Sequence, residues 1–155
     1  MAAFLIYRLV KKKSLVPFKK EEPYLPPHIR AINRLNEIKL NKLWQSGKVK
    51  EYHSEVTETL RIYIEERFGI GAMEMTSGEI LSDLKKYSDA DIACDNLKQI
   101  LIMADFVKFA KYNPLPDENE LSMMNAYLFV NNTKIEEVTE EKEEKKEKND
   151  ENEEN

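Results

Sequence analysis

The sequence predicts an all-α protein: a bundle of about five short helices, with a basic, Pro-containing N-terminal linker and an acidic C-terminal tail expected to be disordered. Three observations predict it. Apolar residues recur at steps of three and four through most of residues 28–133, the spacing of one helix face. No alternating run is long enough for a strand. All six prolines (Pro17, Pro23, Pro26, Pro27, Pro114 and Pro116) fall between periodic segments or before the first, where a fixed φ and a missing amide hydrogen mark boundaries.

From His28 to Ser46, Ile29, Ile32, Leu35 and Ile38, then Leu40, Leu43 and Trp44, follow a helical pattern, and Gly47 stands where a left-handed C′ glycine would end it. A second helix follows almost at once, with Val49, Tyr52, Val56, Leu60, Tyr63 and Ile64 on one face, Phe68 at its end, and Gly69 and Gly71 as stops. So short a connection forces an antiparallel pair. Thr76-Ser77-Gly78-Glu79 forms a capping box for a third helix that buries Ile80, Leu81 and Leu84. Asp89 or Asp91 is expected to cap the fourth, carrying Leu97, Ile100, Leu101, Ala104 and Val107, with Phe106 or Phe109 as further core candidates. Asn113-Pro114-Leu115-Pro116 ends it, and a fifth helix from about Asp117 to Val130 is expected to bury Leu121, Met124, Leu128 and Phe129.

A chain of 155 residues has room for one domain with a hydrophobic core. Its 34% charged content is high and its net charge of −5 is uneven. Residues 134–155 hold ten Glu and one Asp against five Lys, a net of −6. They cannot bury enough apolar surface to offset their ordering entropy. The rest is nearly neutral, with 19 basic and 18 acidic side chains. That balance argues against a nucleic-acid partner, and none is expected.

The first thirteen residues reverse the signal-peptide order: an apolar run, Met1 to Val10, precedes Lys11-Lys12-Lys13. Ten residues fall short of the roughly 20 needed to cross a bilayer. Three readings stand: the end of a membrane helix leaving on the cytoplasmic side, a short interfacial anchor with a polybasic patch, or a frayed terminal element. Arg8, Lys11, Lys12, Lys13, Lys19 and Lys20 form the membrane-proximal basic set, with no acidic residue between Arg8 and Lys20. Residues 14–27 read as a semi-rigid linker. The tail's charge opposes that of the basic set, but it lies at the far end of the chain, beyond effective screening distance if the bundle intervenes.

Little points to catalysis. A lone Cys94 and two isolated histidines form no disulfide framework or metal pattern. His53 lies beside the buried face of the second helix, as a structural or surface histidine does. Gly69-Ile70-Gly71 is too short for a nucleotide loop and follows a helix. No enzymatic activity, metal or cofactor is expected. Asp105, Lys108 and Lys111, interleaved with Phe106 and Phe109, form a candidate partner face, set against a plainer reading of core on one side and snorkelling lysines on the other.

The run Leu60-Arg61-Ile62-Tyr63-Ile64-Glu65-Glu66-Arg67-Phe68-Gly69-Ile70, then Ala72, Glu74, Met75-Thr76 and Glu79-Ile80-Leu81, is followed by Ala104-Asp105-Phe106-Val107-Lys108-Phe109-Ala110-Lys111 and Pro114. With Pro26-Pro27-His28, Leu43-Trp44-Gln45, Gly47 and Tyr52, this order resembles the cytosolic C-terminal region of bacterial membrane proteins of the Bat (aerotolerance) operon type, from roughly Pro26 to Thr133. The resemblance implies a helical module on the cytoplasmic face of the bacterial inner membrane, after a single membrane helix. Its implied partners are a MoxR-type AAA+ ATPase and von Willebrand factor A proteins. It carries over no catalytic residue. The family's extracytoplasmic portion and most of its membrane helix have no counterpart in this sequence, so the chain is read as a fragment or as a short protein sharing only the cytosolic module. The expected function is a non-enzymatic protein-interaction module. The alternative is a soluble helical regulator that binds nucleic acid or a small ligand.

Overall fold

A helix of 20 residues, Val49–Phe68, forms the axis of the molecule. In the computed structural model, which describes residues 24–91 and 93–136, it is the second of six α-helices. They are α1 (Pro27–Leu40), α2 (Val49–Phe68), α3 (Ser77–Leu84), α4 (Ser88–Asp91), α5 (Cys94–Phe109) and α6 (Pro116–Thr133), with a 3₁₀ turn at Ala72–Glu74. Among the described residues there is no strand, and the fold is the all-α bundle that the periodicity predicts. Segment 1–13, expected to lie near a membrane, most of the linker and the tail from residue 137 onward lie outside the described residues.

The predicted stripe of α2 is the centre of the core: Tyr52, Val56, Leu60, Tyr63, Ile64 and Phe68 are all buried. Gly69 closes the helix in the left-handed region, φ 70°, with its N–H on the Glu65 carbonyl, a conformation that costs a glycine nothing. Helix α1 packs antiparallel to α2 through Leu35 and Ile38. Two ion pairs fix the direction at its edge: Arg30 with Glu66 at 2.8 Å and Arg34 with Glu55 at 3.0 Å.

Helix α1 stops at Leu40, six residues before the expected end at Ser46. Lys42 takes a positive φ of 48°, which breaks the ladder, and Leu40 points outward. Residues 41–47 wind through turns, held by Lys48 N–H on the Leu43 carbonyl at 2.9 Å. The predicted role of Gly47 as a left-handed residue holds at φ 84°, but it ends this turn and not a helix. Leu43 still reaches the core from the turn.

Arg61 reaches from α2 to the carbonyls of Ala72 and Met75 and so fastens the 3₁₀ turn. The predicted capping box opens α3: Glu79 N–H donates to Thr76 Oγ1 at 3.3 Å, and Thr76 N–H donates to Glu79 Oε2 at 2.7 Å. Neither Asp89 nor Asp91 caps a long fourth helix, because α4 ends at Asp91 and a separate helix starts at Cys94. Helix α5 starts from Ala93 with no side-chain cap. It buries Leu97, Ile100, Leu101, Ala104 and Val107 as expected, while Phe106 and Phe109 face outward. Helix α6 runs parallel to α2 and antiparallel to α5.

Leu60 is fully buried, so Leu60→Ala should cost about 2–5 kcal/mol in denaturant unfolding. Thr76→Ala, at an exposed cap, should cost about 1 kcal/mol. Equal costs would contradict this division between core and cap.

Candidate interaction surface

Helix α6 buries a face that mixes polar and apolar residues. Asn119, Ser122, Asn125 and Thr133 are turned inward beside Met123, Ala126, Phe129 and Val130. Of the residues expected in the core, Phe129 is buried, whereas Leu121, Met124 and Leu128 are turned outward. The cause is α2, which offers polar tips at both ends of its buried stripe. Tyr52 Oη donates to the Asn119 carbonyl at 2.7 Å, and His53 Nε2 meets Asn119 Oδ1 at 2.8 Å. At the other end Tyr63 Oη and Thr133 Oγ1 are 2.9 Å apart, and Arg67 Nε donates to the Thr133 carbonyl at 2.7 Å. Buried polar groups need such partners, and rotating α6 to bury Leu121, Met124 and Leu128 would break all four contacts. An amide ladder fixes α6 on α5 as well: Asn96 Nδ2 donates to Asn125 Oδ1, and Asn125 Nδ2 donates to Gln99 Oε1, both at 3.2 Å.

Of the displaced apolar residues, Leu121 meets the apolar face of α5, whereas Met124 and Leu128 border the turn after α1. Ile102, Phe106 and Phe109 follow steps of four and three along one face of α5, and Phe106 is 53% and Phe109 82% exposed. Ile102, Met103, Phe106 and Leu121 line a trough of about 250 Å³ between the two helices. Phe106 and Met103 continue into a second, shallower depression toward Lys111, Tyr112 and Asn113. The Tyr112 ring packs edge-on to Phe106 at 6.5 Å, and its hydroxyl donates to Glu118 Oε2 at 2.9 Å. Glu118 in turn accepts the Leu115 N–H at 2.8 Å, closing the start of α6. The aromatic end of the trough therefore rests on a braced loop. Exposed apolar surface joined across two elements in this way marks interaction sites.

Of the expected partner face, Lys111 is exposed, at φ 54° just past the end of α5, on the edge of the aromatic depression. Asp105 and Lys108 are half-buried, and Lys108 turns toward α2. Lys108 Nζ lies 3.4 Å from Thr57 Oγ1, which itself donates to the His53 carbonyl at 2.8 Å. Burial and the nearby Arg61 charge pull the Lys108 ammonium below the usual lysine range. Among the described residues Asp105 makes no ion pair with Lys108. The three residues are thus not brought onto one surface. Phe106, interleaved with them, shares a surface with Leu121 of the outward stripe of α6 that periodicity assigned to the core. The signal for that stripe was present as polar residues at Asn119, Ser122 and Asn125, on the face that would otherwise meet solvent. Arg8, Lys11, Lys12, Lys13, Lys19 and Lys20 lie outside the described residues.

A second concavity, about 500 Å³, opens between the turn after α1 and α6, lined by Ile38, Trp44, Tyr52, Met123, Met124, Tyr127 and Leu128 among others. Among the described residues no group of three His, Cys, Asp or Glu side chains is placed to hold a metal ion, and no helix is long and apolar enough to cross a membrane. The Cys94 thiol is half-buried, and burial with the charges of Asp91 and Asp95 pushes its pKa up.

Comparison with protein-family models, with curated proteins and with solved structures finds no match.

His53 is fully buried, and its Nδ1 has no hydrogen-bond partner. Burial, then the neighbouring Lys108 charge, hold its pKa below the ordinary histidine value against the Asn119 hydrogen bond. The unfolded chain therefore takes up the proton first. The neutral ring's contribution to stability is complete above a pH of about 6.5 and is lost as pH falls below it, by at most about 1.4 kcal/mol per pH unit for one proton. The melting temperature should fall from pH 7 to pH 5, and His53→Gln should flatten that slope. An equal slope in the variant would contradict the assignment.

Proposed function

We propose that the chain is a non-enzymatic protein-interaction module that acts at the cytoplasmic face of the bacterial inner membrane. The observation that supports this reading is the apolar trough of α5 and α6 with its projecting Phe109. It lies toward the end of the bundle where α5 leads into α6, opposite the end where α1 starts and α6 finishes. A module tethered by its N-terminal segment would present these rings away from the tether.

The resemblance to the Bat-type cytosolic region supplies the class of partner, a MoxR-type AAA+ ATPase or a von Willebrand factor A protein. Aromatic side chains standing out of a polar surface are the residues that most often carry binding energy at such contacts. The alternative, a regulator that binds a small ligand, is favoured by one observation, the concavity lined by Trp44, Met123 and Tyr127. Its mixed lining of aromatic, thioether and polar groups would suit a flat apolar molecule with a polar edge.

Titration of the chain against a MoxR-type ATPase tests the leading reading. Replacing Phe106 and Phe109 together by Ser should weaken binding by about tenfold or more and leave the melting temperature nearly unchanged, since both rings are exposed. Binding that survives both this change and Leu121→Ser would remove the trough as the contact.

A further inference from the structure

The positive φ of Lys42 does more than end α1. In the turn that follows it, Leu43 enters the core, while the half-buried Trp44 lines the concavity of about 500 Å³ beside α6. Ile38 from α1, Tyr52 from α2, and Met123, Tyr127 and Leu128 from α6 supply the rest of its apolar wall. Two hydrogen bonds set that wall before anything binds. Tyr52 Oη donates to the Asn119 carbonyl at 2.7 Å, and Tyr127 Oη donates to Asn36 Oδ1 at 2.6 Å, which ties α6 to α1. Clefts that hold small molecules run from roughly 300 to 1,000 Å³ and combine apolar and aromatic walls with a few placed polar groups.

The placed polar groups in this cleft include two opposite charges. Lys39, in the last turn of α1, and Glu120, near the start of α6, both line it. Arg30 and Arg34, the other cations of α1, hold carboxylates of α2. Among the described residues neither Lys39 nor Glu120 is in an ion pair, with each other or with a third group. Burial raises the pKa of the Tyr52 hydroxyl, and Tyr127 and Glu120 add to it, which sets the Glu120 carboxylate near the aromatic wall. Met123 and Met124 contribute polarizable thioethers, which adapt to a ring placed against them.

We propose that this concavity binds an aromatic zwitterion, an amino acid or short peptide with a free ammonium and a free carboxylate, whose ring lies among Trp44, Tyr127 and the thioethers. The ammonium pairs with Glu120, and the carboxylate pairs with Lys39 and accepts from the Gln45 amide, which also lines the cleft. A fatty acid would cover Glu120 without a counter-charge, and an aromatic cation would do the same to Lys39. A charge covered without a partner costs free energy, so a ligand of both signs fits this wall better than one of either. The site shares no lining residue with the trough of α5. It rests on the small-ligand reading of the proposed function and names the chemistry of that ligand.

Trp44 is the single tryptophan of the chain, so its emission reads the concavity in the full, unlabelled protein. Titration with the dipeptide Leu-Phe, both termini free, should change that emission in a saturable way. The blocked analogue N-acetyl-Leu-Phe amide keeps the ring, loses both charges, and should bind about tenfold or more weakly. Lys39→Gln and Glu120→Gln should each weaken Leu-Phe by about tenfold and leave the blocked analogue unaffected. Both side chains are exposed, so the melting temperature of each variant should match the parent's. Free phenylalanine, titrated in parallel, separates the two sources: equal or tighter binding than Leu-Phe assigns the amino acid, and weaker binding assigns the peptide. If the blocked analogue binds as well as Leu-Phe and neither variant matters, the zwitterion is overturned and the small-ligand reading stands. If none of the three compounds changes the emission, both are overturned.

Discussion

Everything in this bundle depends on how α2 holds α6. The buried stripe of α2 ends in polar tips: Tyr52 and His53 at one end, Tyr63 and Arg67 at the other. Once packed, those groups need partners of matching polarity, and Asn119 and Thr133 stand one helix length apart on α6 to supply them. Between them, Ala126, Phe129 and Val130 share the buried cluster with Val56 and Leu60, and the Phe129 ring packs edge-on to Tyr63 at 6.0 Å. Hydrophobic burial draws α6 onto α2, and the terminal hydrogen bonds decide which way it is turned.

That rotation has a visible consequence. An apolar stripe, Leu121, Met124 and Leu128, is left on the outside; Leu121 joins the outer face of α5, and Met124 and Leu128 face the turn after α1. A chain selected only for stability would bury those residues and expose the asparagines. The bundle does the reverse, and the polar contacts make the reverse arrangement stable. Its two ends also differ in chemistry. The end where α5 turns into α6 carries aromatic rings on a loop braced by Glu118 and Tyr112. The other end gathers both exits of the described chain around Arg67.

The parts legible in the sequence are those that local chemistry decides. The stripe of α2, the stop at Gly69 and the box of Thr76 with Glu79 each rest on residues within one or two turns of each other, and each stands in the structure as predicted. What periodicity misplaced was decided across the fold. Nothing near Leu40 marks the end of α1, because its break is a lysine at positive φ and not a glycine or proline. Leu121, Met124 and Leu128 satisfy the helical spacing as well as any core stripe does, and only the side chains of α2 reveal that Asn119 and Thr133 outrank them. Lys108 was legible as a helix-surface lysine but not as one drawn toward Thr57. The partner face divides for the same reason: Lys108 is drawn toward α2, while Lys111 and the rings of Phe106 and Phe109 stand exposed.

Native-state hydrogen exchange across α2 and α6 tests this dependence most directly. If α2 holds α6 at both ends, the amides of Val56 and Leu60 in α2 and of Ala126 and Val130 in α6 should open together, with the same free energy and the same response to denaturant, and α3 and α4 should open earlier. Exchange from α6 at a free energy well below that of α2 would mean that α6 detaches on its own, and the claim that α2 sets its rotation and stability would be wrong.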